Sequence, residues 1–173
     1  YYPIDRNHPN SYYSYMQEHL WSKVDLKKEN VHIPDSKPED PLKACRQYEE
    51  KIAARGGIDF QVLGIGPNGH IGFNEPGEYL QAQTHLVNLT EETIKANSRF
   101  FKSMEDVPKQ AITMGIGTIM KAKEILLLVS GEHKAEIIKK ALQGPITTQI
   151  PASILQAHPR VTVLLDKEAG KLL

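Results

Sequence analysis

Phe60-Gln61-Val62-Leu63, running directly into Gly64-Ile65-Gly66-Pro67-Asn68-Gly69-His70-Ile71-Gly72-Phe73-Asn74-Glu75-Pro76-Gly77, is the stretch on which the fold turns. The apolar run reads as a buried strand, and the segment after Leu63 holds too much glycine and proline to continue as helix or sheet. Open α/β sheets keep their chemistry in loops of this kind, at the carboxyl ends of strands. His70 and Glu75 lie in the loop. An imidazole that titrates near neutrality, with a carboxylate able to orient it, makes a general acid/base pair.

The same alternation continues on both sides. Upstream, Tyr12, Met16, Leu20 and Val24 recur every fourth residue behind Ser11, which predicts an amphipathic helix capped by that serine. Residues 25–41 are polar, carry Pro34 and Pro38, and read as a surface connection with a short extended piece at Val31-His32-Ile33. Asp40 then caps a helix with Pro41 in its first turn; Leu42, Cys45, Tyr48 and Ile52 make its buried stripe, and Gly56-Gly57 ends it. The strand into the loop covers 58–63. Downstream come a polar extended piece at 86–89 and a helix over 90–101 with Glu91 and Glu92 at its positive end. A brief strand at 111–114 gives way to Gly115-Ile116-Gly117-Thr118 and a short helix. Residues 125–129 form the most apolar strand, and Ser130-Gly131 turns it into a helix over 132–142. Pro145 and Pro151 punctuate the next loop, before a short helix at 152–157 and a last strand at 161–165. Strands separated by helices of this length predict an α/β fold: a three-layer, Rossmann-like, mostly parallel sheet with helices on both faces. Residues 1–173 read as a single domain without internal repeats.

Composition narrows the partners. The 173 residues are 40% hydrophobic and carry 21 basic against 21 acidic side chains, so there is no electrostatic footprint for nucleic acid or a membrane surface. A small metabolite is the expected partner. No stretch approaches the about eighteen apolar residues of a membrane-spanning helix, and Tyr1-Tyr2-Pro3-Ile4-Asp5-Arg6 does not resemble a signal peptide. A single cysteine, Cys45, gives neither an intrachain disulfide nor a zinc set, and a reducing cytoplasm is the default location.

Gly64, Gly66 and Gly69 satisfy the G-x-G-x-x-G pattern of dinucleotide-binding proteins. That fingerprint works only where the last glycine opens a helix whose amides hold a pyrophosphate, and Gly72, Asn74, Pro76 and Gly77 forbid one here. The glycines instead let backbone approach a ligand. His70 could serve as a structural histidine, but it sits in a loop, and a turn can fold Glu75 back to its ring. As metal ligands the two are poor, having no third nearby. Arg99, within Ala96-Asn97-Ser98-Arg99-Phe100-Phe101, taken alone is a solvated arginine. Lys134 falls in the first turn of the helix after 125–129. A cation there opposes the helix dipole unless an anion, such as phosphate, occupies the helix amino terminus.

These residues assemble into a resemblance that covers nearly the whole chain. His8-Pro9-Asn10-Ser11-Tyr12-Tyr13, Gly69-His70-Ile71-Gly72-Phe73-Asn74-Glu75-Pro76, residues 96–101, Gly115-Ile116-Gly117-Thr118 and Ile150-Pro151-Ala152-Ser153 resemble the glucosamine-6-phosphate deaminase family. That family of amino-sugar metabolism belongs to the sugar-phosphate isomerases related to 6-phosphogluconolactonase and ribose-5-phosphate isomerase. The resemblance implies conversion of glucosamine 6-phosphate and water to fructose 6-phosphate and ammonia, with no metal or organic cofactor. It implies that His70 opens the sugar ring by moving a proton between the anomeric hydroxyl and O5, with Glu75 as its relay partner. Arg99 and Lys134 match residues that hold the substrate phosphate, and Gly69 falls with them among the substrate-binding positions. Asn68 stands where one branch has aspartate, which leaves the enzyme class standing and bears on whether the relay has a charged third member.

The family's proton-abstracting aspartate lies in an Asp-Glu-Tyr sequence to whose tyrosine Tyr1 corresponds. The resemblance therefore implies an amino-terminally truncated chain, the C-terminal portion of the family's domain, that is inactive when taken alone. Glu78-Tyr79-Leu80-Gln81 is similar to a galactosamine-6-phosphate branch. A non-catalytic sugar-phosphate-binding module is the alternative of a different class. Between 78 and 88 the only basic residue is His85, so allosteric activation by an amino-sugar phosphate is not expected. A homo-oligomer is left open.

Overall fold

In the computed structural model, which describes Tyr1–Leu173, five helices and five strands follow one another along the chain. They are α1 (Tyr12–His19), α2 (Pro41–Ala54), β1 (Phe60–Leu63), β2 (His85–Asn88), α3 (Glu91–Asn97), β3 (Gln110–Thr113), α4 (Ile116–Met120), β4 (Glu124–Val129), α5 (Ala135–Gln143) and β5 (Val161–Leu165). Backbone contacts group them into two units. One comprises Tyr1–Glu50 and His85–Ile112, the other Lys51–Thr84 and Thr113–Leu173.

The second unit is built on a parallel sheet of order β1-β4-β5, whose three strands were all legible as apolar runs. Phe60 to Leu63 pair with Glu124 to Leu127, and Ile125 to Val129 with Val161 to Leu165. Because strand side chains alternate, Leu63, Ile125, Leu127 and Val129 share one face. That face packs on Ile116 and Ile119 of α4, Ile138 and Ala141 of α5, and Ala152 and Leu155 of the 3-10 turn Pro151–Ala157. On the opposite face Phe60, Val62, Leu128 and Leu164 are exposed. Of the two covered faces expected, this unit builds one from its own residues.

In the first unit Ser11 caps α1 as expected, its hydroxyl accepting from the Ser14 amide at 3.0 Å. The helix stops at His19, a 3-10 turn follows at Trp21–Lys23, and the expected stripe buries nothing. Its exposed aromatics meet each other instead, Tyr12 stacked on Tyr15 and Tyr15 against a tilted His19 ring. Thr90 caps α3 through the Thr93 amide. The strand expected at 111–114 forms as β3 but pairs with β2 rather than joining the parallel sheet. Its neighbours account for this: the Leu89 amide donates to Lys109 O at 2.8 Å, and Tyr2 bridges Gln110 antiparallel at the same distance. For α2, Asp40 caps through the Lys43 amide at 3.0 Å, and the Gly57 amide closes the helix on Ile52 O. Of the expected stripe, Cys45 is buried beside Ala44 and Tyr48 and Ile52 are partly buried, whereas Leu42 is 61% exposed. No helix of the protein is long and apolar enough to cross a membrane.

Ile138 is fully buried at the centre of the covered face. Ile138→Ala is expected to destabilise the fold by about 2–5 kcal/mol, the range for an aliphatic truncation that leaves a cavity. Urea denaturation followed by circular dichroism measures it.

Candidate active site

The loop 64–77 leaves the carboxyl end of β1 within the second unit, and two of its side chains, Ile65 and Ile71, go down into the core. Ile71 is 0% exposed and belongs to the cluster formed by β1, β4, α4 and α5. The chain reaches it through Gly69, whose φ of +88° a side chain would strain and whose carbonyl accepts from the Ala152 amide at 2.9 Å. Asn74 then closes the turn. Its amide nitrogen Nδ2 donates to Ile71 O at 2.8 Å and Met114 O at 2.9 Å, and the Phe73 amide donates to Thr113 Oγ1 at 2.9 Å. No helix opens at Gly69, which removes the structural basis of a dinucleotide site. A bridge between Ile71 and Asn74 stands in that place.

With the loop pinned this way, Asn68, His70 and Glu75 meet in a closed ring of contacts. Asn68 Nδ2 donates to Glu75 Oε2 at 2.7 Å. Asn68 Oδ1 accepts from the His70 amide at 3.2 Å and stands 2.8 Å from His70 Nδ1, which is also 3.3 Å from Glu75 Oε2. The orientation of the Asn68 amide is fixed from both ends, since a flipped one would face oxygen to carboxylate and lose the backbone donor. Two acceptors therefore face Nδ1. It carries the proton, and the lone pair of the neutral ring resides on Nε2. The side chains of His70 and Glu75 are only 13% and 7% exposed, so their polar groups need partners within the protein, and these contacts supply some of them.

Lys134 reaches the same loop from the far side of the sequence. It lies not in the first turn of α5, as expected, but on the 3-10 turn Glu132–Lys134 that precedes it. Its Nζ donates to Ile65 O at 2.7 Å. The turn is held by Asp166, which accepts from the amides of Ala169 and Gly131; these two bonds hold its carboxyl below the usual carboxylate range. Gly69 bonds within the protein through both backbone groups, its amide to Gly66 O and its carbonyl to Ala152. Arg99 belongs to the first unit, on the 3-10 turn Ser98–Phe100, with its guanidinium 4.7 Å over the Phe100 ring. Asn10 fastens that turn, donating from Nδ2 to Phe100 O at 2.6 Å. Ile71, Asn74 and Thr113 were not singled out from sequence. The signal available for Ile71 was an apolar residue set between histidine and glycine.

A family model described as Glucosamine-6-phosphate isomerases/6-phosphogluconolactonase matches residues 3–164. Glucosamine-6-phosphate deaminase of Thermoanaerobacter pseudethanolicus is 55% identical over 170 residues, covering 98% of this chain and 67% of that protein. The protein of the same name from Halothermothrix orenii is 54% identical over 173 residues, covering 100% of this chain and 72% of its own. Among solved structures, a monomeric glucosamine-6-phosphate deaminase matches with a TM-score of 0.97 at 47% identity, over 100% of this chain and 72% of that one. A 6-phosphogluconolactonase from Trypanosoma brucei shares the fold with a TM-score of 0.71 at 19% identity, over 99% and 71% of the two chains.

Nitrogen-15 NMR of histidine-labelled protein reads the ring directly. Above the imidazole's titration, His70 is expected to show a single tautomer with the proton on Nδ1, and Asn68→Ala combined with Glu75→Ala is expected to abolish that preference.

Proposed function

The chain belongs to the glucosamine-6-phosphate isomerase/6-phosphogluconolactonase family, and we propose that it acts as a glucosamine-6-phosphate deaminase, converting glucosamine 6-phosphate and water to fructose 6-phosphate and ammonia. The observation that carries this reading is the closed contact of Asn68, His70 and Glu75, which leaves a basic nitrogen at the carboxyl end of a sheet strand. Ring opening needs what such a nitrogen supplies. Nε2 takes the proton of the anomeric hydroxyl as the C1–O5 bond breaks, and the same proton is delivered to O5, leaving the open aldehyde. During the transfer the ring is briefly an imidazolium, with Nδ1–H directed at Asn68 Oδ1 and Glu75 Oε2. The Glu75 carboxylate stabilises that charge, as a carboxylate does behind any catalytic imidazole.

Lys134 is the proposed phosphate-binding group of the second unit, held at the loop by its bond to Ile65 O. Arg99 is proposed for the same role on the family resemblance, since a guanidinium binds phosphate through paired donors. The relatives at 54–55% identity support glucosamine over galactosamine as the amino sugar.

Ring opening is observable apart from the complete reaction, because the α and β anomers of glucosamine 6-phosphate interconvert only through the open chain. Exchange NMR is expected to show the protein accelerating this interconversion, and His70→Ala reducing the acceleration by about 10²–10⁴-fold. Binding of the sugar phosphate with no acceleration would assign the site to a non-catalytic binding module. Lys134→Met and Arg99→Met are each expected to raise KM with a smaller change in kcat. Asn68→Asp would place a second carboxylate beside Glu75. Like charges raise the pKa of the pair, and the added charge also favours the imidazolium, so the acid limb of the pH–rate profile is expected to move to higher pH.

A further inference from the structure

We propose that Gly66 is the seat of the catalytic imidazole: the missing side chain at this position, not backbone freedom, is what lets the His70 ring stand in the relay. The inference deepens the proposed ring-opening role and rests on it. Gly66 is buried and, unlike Gly69 and Gly72, its φ is not positive, so its conformation is open to any residue. What a larger residue lacks is room. A Cβ on Gly66 would lie 2.2 Å from Cε1, 2.4 Å from Nδ1 and 2.4 Å from Nε2 of His70. Three ring atoms at nearly equal distance mean that the imidazole lies flat against this Cα.

The backbone cannot yield to make space. The Gly66 amide donates to His70 O at 2.9 Å, and its carbonyl accepts from Gly69 at 3.1 Å. The preceding carbonyl, Ile65 O, is held by Lys134. Two residues are thus tied to each other through the main chain and pressed together through the ring. The element free to move on adding a methyl group is the imidazole, and moving it breaks the approach of Nδ1 to Asn68 and Glu75. Gly66 is a positioning residue, acting through His70 and touching no reacting atom.

Gly66→Ala is expected to lower the rate of anomer exchange by about 10²-fold, the lower end of what a positioned acid/base group supplies. It is also expected to erase the single-tautomer nitrogen-15 signature of His70. The second readout involves no substrate, so it tests the seat even if the deaminase reading fails. A His70→Ala background provides the control for folding. There the ring is gone, so adding Gly66→Ala is expected to leave the denaturation midpoint unchanged. An alanine at 66 that leaves the His70 tautomer intact overturns the proposal, as does one that lowers the midpoint equally with and without the ring.

Discussion

The buried Ile71 side chain is what the rest of the site hangs on. A loop this rich in glycine costs more conformational entropy to order than one of ordinary residues, and its own side chains offer little apolar surface in return. Ile65 and Ile71 are the exceptions, and of the two Ile71 goes deepest, placed between His70 and Gly72, which has no side chain to direct. Taking it to zero exposure fixes the depth of the chain at that point. The two bonds from Asn74 Nδ2 then fix its direction, one to the loop's own Ile71 carbonyl and one to Met114 beyond β3. Hydrogen bonds of this kind contribute only about 1 kcal/mol each, so their worth here is geometric more than energetic.

The electrostatic arrangement follows from that depth. A carboxylate as little exposed as Glu75 is costly to leave without donors. Asn68 and His70 give it donors, and each of those donors also orients the other partner. An aspartate in place of Asn68 could accept from His70 but would confront Glu75 with a second negative charge. The amide satisfies both neighbours with no proton to share.

How much of this was legible in the sequence depended on how local each contact is. The strands at 60–63, 125–129 and 161–165 were readable because parallel strands are apolar along their length and need no partner to be recognised. Asn68, His70 and Glu75 lie within eight positions, so a turn is enough to bring them together. Partners distant in sequence were not readable. The pairing of β3 with β2 is accompanied by contacts of Lys109 with Leu89 and of Gln110 with Tyr2, and in α2 the apolar stripe holds at Cys45 but not at Leu42, which is exposed. The bond from Lys134 to Ile65 spans 69 positions, and although the start of a helix and the family resemblance both pointed to that lysine, neither tied it to this loop.

Gly66 marks the boundary between these two kinds of information. In the sequence it belongs to a glycine pattern that suggests a phosphate cradle, and its spacing from Gly64 and Gly69 carries no hint of histidine. In the fold each of those glycines answers a different demand. Gly69 supplies a backbone angle, and Gly66 supplies empty space against a ring four residues on. A pattern of like residues thus arises here from unlike constraints. That is why the motif misleads as a fingerprint for a nucleotide: in this loop one of its glycines leaves the room in which the imidazole of His70 lies flat on the chain that carries it.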